Sequence, residues 1–167
     1  MRIPFFILSI AFSANLLAQD SLKKDSVPVA EREYFCQYGF ELDSVGSIIL
    51  FNEVYAWKGT HYLRGGTTKK GVDCSGFVGK MYTAAYGHPL VGSALNLYSQ
   101  CDTVPRAELK EGDLLFFKIR KGQISHVAIY LGNNKFAHAT VHGGVMVDDL
   151  DEPYYRKYFF SGGRLRA

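Results

Sequence analysis

The sequence has little of several features that would assign it to a particular class of protein. Its 167 residues include only 3 cysteines, and the net charge is only +3 at pH 7. Three cysteines are too few for a disulfide-dense miniprotein, and so weak a charge lacks the concentrated basic face of a nucleic-acid binder. After the N-terminal segment, no run approaches the roughly 18 apolar residues that a membrane span needs. We therefore expect a globular domain with no nucleic-acid partner and no membrane span in the mature chain.

The N-terminus, in contrast, has the pattern of a secretory signal peptide. Arg2 gives a short positive region, residues 3–12 form an almost unbroken apolar run, and small residues up to Ala18 mark a cleavage point. We expect residues 1–18 to be removed; an apolar first strand or helix of the fold is the alternative. The first cysteine is Cys36, so this segment offers no site for the lipid of bacterial lipoproteins. The prediction is an exported protein, periplasmic or extracellular, that is not a lipoprotein.

The remaining chain divides into a lead-in and one domain. Residues 19–33 are polar and lack periodicity, which is typical of a tether or a disordered segment. We expect residues 19–41 to form a linker and residues 42–167 to form the domain.

The three cysteines, Cys36, Cys74 and Cys101, lie in a chain expected to enter a disulfide-permissive compartment. An odd number leaves at least one thiol free or bridged to another molecule. The sequence alone allows any of three pairings. The surroundings of Cys74 differ from those of the other two, which favours leaving Cys74 free.

Helical patterns fill the first half of the expected domain. Ser44 is a candidate N-cap for a helix that ends near Trp57. A glycine-, threonine- and lysine-rich loop leads to a second helix over about residues 73–87. Ser93 is the candidate cap of a short third helix that ends at Tyr98.

Strand patterns follow. Runs rich in apolar and β-branched residues are separated by glycine- and asparagine-containing turns of hairpin length. The predicted strands span residues 113–119, 125–131, 135–140, 144–147 and 158–165. Helices followed by an antiparallel meander predict an α+β domain, with a sheet of about five to six strands.

The candidate chemistry begins at Cys74. The glycine-rich loop delivers this residue to the first turn of the second predicted helix. Unpaired backbone N–H groups and the helix dipole at that position favour a thiolate over a thiol, and they can also hold an oxyanion. The small residues Ser75 and Gly76 leave the approach open. A buried structural cysteine on a core helix is the alternative interpretation.

Two histidines are placed to serve a cysteine nucleophile. Residues 126, 128 and 130 alternate onto one face of their predicted strand, and His138 lies on the next strand. His126 and His138 have the same parity about the hairpin turn near Asn133, so both side chains can project from one face. In that geometry His138 orients His126, and His126 acts as base toward Cys74.

Metal binding is a competing use of one cysteine and two histidines. The short-spaced ligand pairs of a structural zinc site are missing around these residues. We therefore expect neither a metal ion nor another cofactor.

Five motifs occur in a fixed order along the domain. They are YLRGG at 62–66, GVDCSGF at 71–77, GDLLFF at 112–117, SHVAIYLG at 125–132 and AHA at 137–139. In this order and spacing they resemble the signature of the NlpC/P60 cell-wall peptidases, over about residues 45–165. The resemblance implies a papain-like α+β core, in which a helix bearing the cysteine packs on an antiparallel sheet bearing the histidines.

The resemblance also implies roles for individual residues. Cys74 is then the nucleophile, His126 the base and His138 the orienting third residue. Tyr62 and Asp73 match positions that line the cleft and contact substrate, and Asp73 suits the free amine of a stem peptide. Further candidates on the substrate side are Ser75 and Ser125.

The function implied is that of an exported cysteine endopeptidase acting on peptidoglycan stem peptides. The bond expected for this protein is the γ-D-glutamyl–diamino acid (LD) bond, which the family most often cuts. Compact relatives also cut D-alanyl–diaminopimelate (DD) crosslinks, which is the alternative bond. A non-hydrolytic binder of wall peptides or an acyltransferase with the same triad remains a further alternative, and the sequence leaves the oligomeric state open.

Overall fold

Helices occupy mainly the first half of the chain and strands the second half. The computed structural model describes residues 27–120 and 122–166. The helices are α1 (Val29–Cys36), α2 (Ile48–Trp57), α3 (Cys74–Tyr86), α4 (Ala94–Tyr98) and α5 (Pro153–Tyr158). The strands are β1 (Thr67–Thr68), β2 (Gly71–Val72), β3 (Cys101–Val104), β4 (Leu114–Phe117), β5 (His126–Gly132), β6 (Lys135–Thr140), β7 (Gly144–Asp149) and β8 (Phe159–Leu165). None of the helices in these two ranges is long and apolar enough to cross a membrane.

Six strands form one antiparallel sheet in the order β3-β8-β4-β5-β6-β7, while β1 and β2 form a separate hairpin. In the central β5–β6 pair, Ile129 lies opposite Ala137. In the β6–β7 pair, His138 lies opposite Met146. The predicted α+β fold, with a sheet of five to six strands, is confirmed.

Both faces of the sheet are covered, as the alternation of β5 requires. Val127 and Ile129 point into the larger core, which the apolar faces of α2 and α3 complete. Ala128 and Tyr130 point to the opposite face, where a smaller cluster forms beneath Tyr155 of α5. The histidine-bearing strands therefore lie between two packed layers, which restricts the motion of their side chains.

The helix that carries the cysteine begins and ends where the sequence predicts. At its start the Asp73 side chain accepts a hydrogen bond from the Gly76 amide, and at its end Gly87 adopts a left-handed conformation with φ +65°. The short α4 also follows the prediction, because the Ser93 hydroxyl accepts from the Asn96 amide in a capping box.

The cap predicted for α2 is wrong by one turn. Ser47, rather than Ser44, accepts from the amide of Leu50 and starts the helix. The Ser44 hydroxyl donates instead to the carbonyl of Glu41 at 2.8 Å. The amide of Gly46, just before the helix, is bound by the Glu111 carboxylate at 2.9 Å. That contact spans 65 residues, so the local sequence gives no sign of it.

The predicted linker over residues 19–41 is wrong for its described part. Residues 29–36 form α1, and Phe35 is fully buried against Phe51, with ring centroids 4.9 Å apart. Phe40 is also buried and meets the same ring at 5.0 Å. This segment is therefore part of the folded core. The predicted signal peptide, residues 1–18, lies outside the described residues.

The five predicted strands are observed with ends shifted by a few residues, and three strands were missed: the two-residue β1 and β2, which lie in the predicted loop, and β3. β3 is short and pairs with β8, with Cys101 opposite Leu165. Its two central residues, Asp102 and Thr103, are exposed while both ends are buried, so it shows no alternating pattern. Pairing with a distant strand, and not local sequence preference, defines it.

All three cysteines are free thiols in this structure. Cys36 is exposed, whereas Cys74 and Cys101 are buried. The Cys101 thiol lies 3.3 Å from the carbonyl of Leu97. None of the three pairings that the sequence allowed is formed.

The loop after α2 is attached to the outer edge of β7. The amide of Gly59 donates to the Val145 carbonyl at 2.8 Å, and the Val145 amide donates to the Thr60 carbonyl at 2.9 Å. Gly144 makes this approach possible, because it has φ +70° and an added Cβ would lie 2.4 Å from the Thr60 oxygen.

Candidate active site

The position of Cys74 is set by the carboxylate that precedes it. One oxygen of Asp73 accepts from the Gly76 amide at 2.7 Å and from the Ser75 hydroxyl at 3.0 Å. The other oxygen accepts from the Gly65 amide at 2.8 Å. Asp73 therefore joins the start of α3 to the glycine-rich loop and holds the cysteine at the helix N-terminus.

The sulfur of Cys74 lies in a buried site lined by backbone donors. The side chain is only 7% exposed, and the N–H groups of Val127, Ser75 and Cys74 itself are directed at the sulfur. Burial nevertheless raises the pKa of the Cys74 thiol, and these donors only partly oppose the effect. The backbone donors at the helix N-terminus favour a thiolate, as the sequence predicts, but burial, which the sequence does not report, acts in the opposite direction and is the larger cause.

The two histidines are hydrogen-bonded to each other, as their parity in the hairpin predicts. Nε2 of His126 lies 2.8 Å from Nδ1 of His138. His138 is only 1% exposed, and the His126 ring packs against Phe117. Burial, followed by the neighbouring His138, lowers the pKa of His126 well below its ordinary value of 6.5. Burial therefore favours the neutral forms of both the His126 ring and the Cys74 thiol before substrate binds.

Beyond His138 lie two residues that the sequence analysis missed. Nε2 of His138 lies 2.9 Å from Oδ2 of Asp148, and the Tyr155 hydroxyl donates to the same oxygen. A signal for Asp148 was present: it has the same parity as His138 about the β6–β7 turn, in the register that pairs Asp148 with Phe136. No comparable pattern marks Tyr155, which comes from a separate helix.

One cleft of about 1180 Å³ brings all the predicted site residues together. Its lining includes the three candidate catalytic residues and the four candidate substrate-side residues. They are Tyr62, Asp73, Cys74, Ser75, Ser125, His126 and His138. The cleft is large enough for a short peptide.

Two of the substrate-side residues have defined surroundings. Tyr62 is half-buried, and burial, with the nearby Cys74 and Asp73, raises its pKa, so its hydroxyl keeps its proton. The hydroxyl of Ser125 accepts from the amide of Arg120 at 3.0 Å, which holds the loop before β5. Arg120 also lines the cleft and adds a positive charge near Tyr62.

The cleft contains histidine, cysteine and carboxylate side chains, which are the types that bind metal ions. Across residues 27–120 and 122–166, no group of three or more histidine, cysteine, aspartate or glutamate side chains is arranged to hold a metal ion. The polar groups of the site are hydrogen-bonded to one another instead.

The site thus combines a cysteine at a helix N-terminus with a histidine pair on an antiparallel sheet. Comparison with known proteins agrees with this arrangement. The sequence profile of the NlpC/P60 family matches residues 59–164. The chain belongs to the NlpC/P60 family. The crystal structure of the NlpC/P60 domain of the peptidoglycan hydrolase SagA is similar in fold, with a TM-score of 0.61 and 28% identity. It covers 72% of this chain and 100% of that domain.

Curated relatives are similar over different lengths. The Escherichia coli K12 protein named murein DD-endopeptidase MepS/murein LD-carboxypeptidase is 41% identical over 110 residues, which is 65% of this chain and 57% of that protein. A probable endopeptidase of Haemophilus influenzae is 36% identical over 161 residues, which is 96% of each chain. The chain therefore spans little more than half of the first relative and nearly all of the second.

Proposed function

We propose that this protein is a cysteine endopeptidase that hydrolyses amide bonds in the stem peptides of peptidoglycan. The observation that carries the proposal is the hydrogen-bonded pair His126–His138 in the same cleft as Cys74. Family membership and the endopeptidase names of both curated relatives support it.

The resting protonation states define the first chemical step. The Cys74 thiol gives its proton to Nδ1 of His126 as the sulfur attacks the scissile carbonyl carbon. His126 can serve as base near neutral pH because its lowered pKa keeps the ring unprotonated. Nε2 of His126, bonded to His138, keeps the ring in place during the transfer.

The later steps return the site to its starting state. The carbonyl oxygen becomes an oxyanion next to the backbone N–H groups at the N-terminus of α3. The N–H groups of Cys74 and Ser75 are available there, because the Asp73 side chain caps the amide of Gly76 instead. His126 then protonates the leaving amine as the C–N bond breaks, which leaves an acyl thioester on Cys74. Water adds to this thioester with His126 as base, the C–S bond breaks, and the sulfur regains its proton.

The bond that we favour is the D-alanyl–diamino acid crosslink. The alternative γ-D-glutamyl bond requires a group that receives the free amine of the stem peptide, and Asp73 is the candidate for it. However, Asp73 already accepts three hydrogen bonds from Gly65, Ser75 and Gly76. An incoming ammonium would have to use the one remaining acceptor position. The name of the 41% identical relative, a DD-endopeptidase, also supports the crosslink.

The γ-D-glutamyl bond remains the second candidate because Asp73 is partly exposed and lines the cleft beside Cys74. Both candidates place the substrate in the cell wall. We therefore propose export to the periplasm or the extracellular space, with residues 1–18 as the signal peptide.

A matched pair of cysteine variants tests the nucleophile. Purified wild type, Cys74→Ala and Cys36→Ala are incubated with structurally defined muropeptides, and the products are identified by mass spectrometry. We expect Cys74→Ala to lose at least about 10⁴-fold in rate while Cys36→Ala, altered at an exposed position, stays active. Loss in Cys36→Ala with activity retained in Cys74→Ala would contradict the assignment.

The same assay separates the candidate bonds and activities. Monomers released from crosslinked dimers, with free tripeptides uncut, identify the crosslink; cleavage of free tri- and tetrapeptides that is reduced in Asp73→Asn identifies the γ-D-glutamyl bond. Ligated products from the wild type would indicate an acyltransferase. Binding without any product would indicate a wall-peptide binder.

A further inference from the structure

Four side chains from four different elements form one continuous hydrogen-bonded relay. His126 on β5 contacts His138 on β6 at 2.8 Å, and His138 contacts Asp148 on β7 at 2.9 Å. Tyr155 on α5 donates to the same Asp148 oxygen. The relay runs from α5 across three neighbouring strands to His126, whose other ring nitrogen, Nδ1, takes no part in it. We propose that Asp148, held by Tyr155, is a positioning residue that fixes the tautomers of both histidines, so that His126 presents an unprotonated Nδ1 to Cys74.

The hydrogen count along the relay leads to this assignment. An ionised carboxylate only accepts hydrogen bonds, so Nε2 of His138 must carry a hydrogen to bond Asp148. A neutral imidazole has one N–H, so Nδ1 of His138 is bare and accepts from Nε2–H of His126. The same count leaves Nδ1 of His126 bare. This is the nitrogen that must take the thiol proton.

Asp148 is ionised in this setting. Burial alone would raise the pKa of Asp148, but hydrogen bonds from His138 and Tyr155 outweigh burial and hold the pKa below its ordinary 3.8. The side chain of Asp148 is 12% exposed, and that of His138 is 1% exposed. Water therefore has little access to replace the carboxylate as acceptor.

Without the carboxylate, no group would select which ring nitrogen of each histidine carries the hydrogen. The next polar group near Nε2 of His138 is the hydroxyl of Tyr155, at 3.5 Å. A hydroxyl can either donate or accept, so it would stabilise either tautomer of His138. A His138 with its hydrogen on Nδ1 would oppose Nε2–H of His126 and force the hydrogen of His126 onto Nδ1. That form cannot act as base toward Cys74.

Tyr155 has a supporting role. Its ring meets the His138 ring edge-on, with centroids 5.5 Å apart, and the Phe136 ring at 4.9 Å. This packing places the hydroxyl on Asp148. The other titratable groups that face the relay are Cys74 from α3 and Glu152, which precedes α5. Neither is hydrogen-bonded to His138.

The test compares two neighbouring carboxylates on β7. Asp148→Ala removes the acceptor, and Asp148→Asn keeps an oxygen acceptor without the charge. Asp149→Asn is the matched control, because Asp149 pairs with the partly exposed Lys135 and not with a histidine. The primary readout is the ring ¹⁵N chemical shifts of His126 and His138 in the labelled full-length protein without substrate.

We expect Nε2–H tautomers at both histidines in the wild type and in Asp149→Asn. A mixture of tautomers is expected in Asp148→Ala. Unchanged ring shifts in Asp148→Ala, or a wild type with Nδ1–H at His126, would overturn the proposal. Asp148→Asn is nearly isosteric and keeps the test valid if Asp148→Ala folds poorly: its amide can donate or accept, so a mixture of tautomers is expected there too, and wild-type ring shifts in Asp148→Asn would overturn the proposal.

Kinetics provide a second readout, which rests on the proposed function. We expect Asp148→Ala to lower kcat by roughly 10- to 100-fold, the scale seen for hydrogen-bond partners of metal-bound histidines, with KM nearly unchanged. Asp148→Asn should keep more activity than Asp148→Ala, and the acidic limb of its pH profile should move to lower pH. A loss in Asp149→Asn equal to that in Asp148→Ala would argue against a specific role. If the wild type cut no muropeptide, the proposed function would fail while the nitrogen shifts would still decide the tautomers.

Discussion

The guanidinium of Arg164 donates two parallel hydrogen bonds to the buried carboxylate of Asp113. Nε lies 2.8 Å from Oδ1, and one terminal nitrogen lies 2.7 Å from Oδ2. Asp113 is only 3% exposed, and its Oδ2 also accepts from the Lys110 amide. The contact ties the end of β8 to the start of β4, 51 residues apart.

Arg164→Ala should therefore destabilise the fold. It leaves a buried carboxylate with one backbone partner, and we expect a loss of about 2 kcal/mol in the free energy of unfolding. Arg106→Ala removes a more exposed ion pair, with Asp151, and should cost less than about 1 kcal/mol. Urea unfolding measures both variants. Equal losses would show that the burial of Asp113 is unimportant.

The resting thiol of Cys74 should react slowly with alkylating agents at acidic pH. Burial raises the thiol pKa and lowers that of His126, so both groups stay neutral. We expect the iodoacetamide rate to rise through the basic range, above the ordinary thiol pKa of about 8.5. The measurement uses Cys36→Ala, in which the exposed competing thiol is absent. A fast rate that is constant below pH 6 would instead show a resting thiolate–imidazolium pair.

Acid should destabilise the protein through His126. The pKa of His126 is lowered in the folded protein. Below pH 6.5 this histidine therefore binds a proton in the unfolded chain but stays unprotonated in the folded chain. The free energy of unfolding should therefore fall as the pH drops below 6.5. His126→Gln, which has no titratable group, should show a shallower fall between pH 6.5 and pH 5. Parallel curves for variant and wild type would exclude this origin.

Removing the ring of Phe35 should strongly lower the free energy of unfolding, because it empties part of the core around α1. The side chain is fully buried and packs edge-on against Phe51. We expect Phe35→Ala to cost about 3–5 kcal/mol, the usual range for a buried phenylalanine. Cys36→Ala, next to it but exposed, should change little. Because residue 35 precedes the family match at 59–164, a wild-type stability for Phe35→Ala would place α1 outside the cooperative unit.

The parts of the site that follow from local rules could be predicted from the sequence. Asp73 and Gly87 bound the cysteine helix through ordinary capping preferences. Strand alternation and hairpin parity placed His126 and His138 together, and the observed 2.8 Å contact confirms it. The same parity extended across one more strand would have found Asp148.

The remaining features depend on distant contacts. Glu111 binds the Gly46 amide just before α2, and β3 is defined by its pairing with β8. The resting state of Cys74 depends on how deeply the folded chain buries the sulfur, which no local pattern reports. Caps and alternation act within a few residues, whereas desolvation is a property of the whole fold.

The attachment of the loop after α2 to β7 also matters for self-association. β7 lies at one end of the six-stranded sheet, and an edge strand offers unpaired N–H and C=O groups to other chains. At Val145 both groups are occupied by Gly59 and Thr60. A side chain at residue 144 would push this loop away and uncover the edge. Glycine at residue 144 thus protects the domain against strand-to-strand aggregation at the β7 edge of the sheet, beside the cleft.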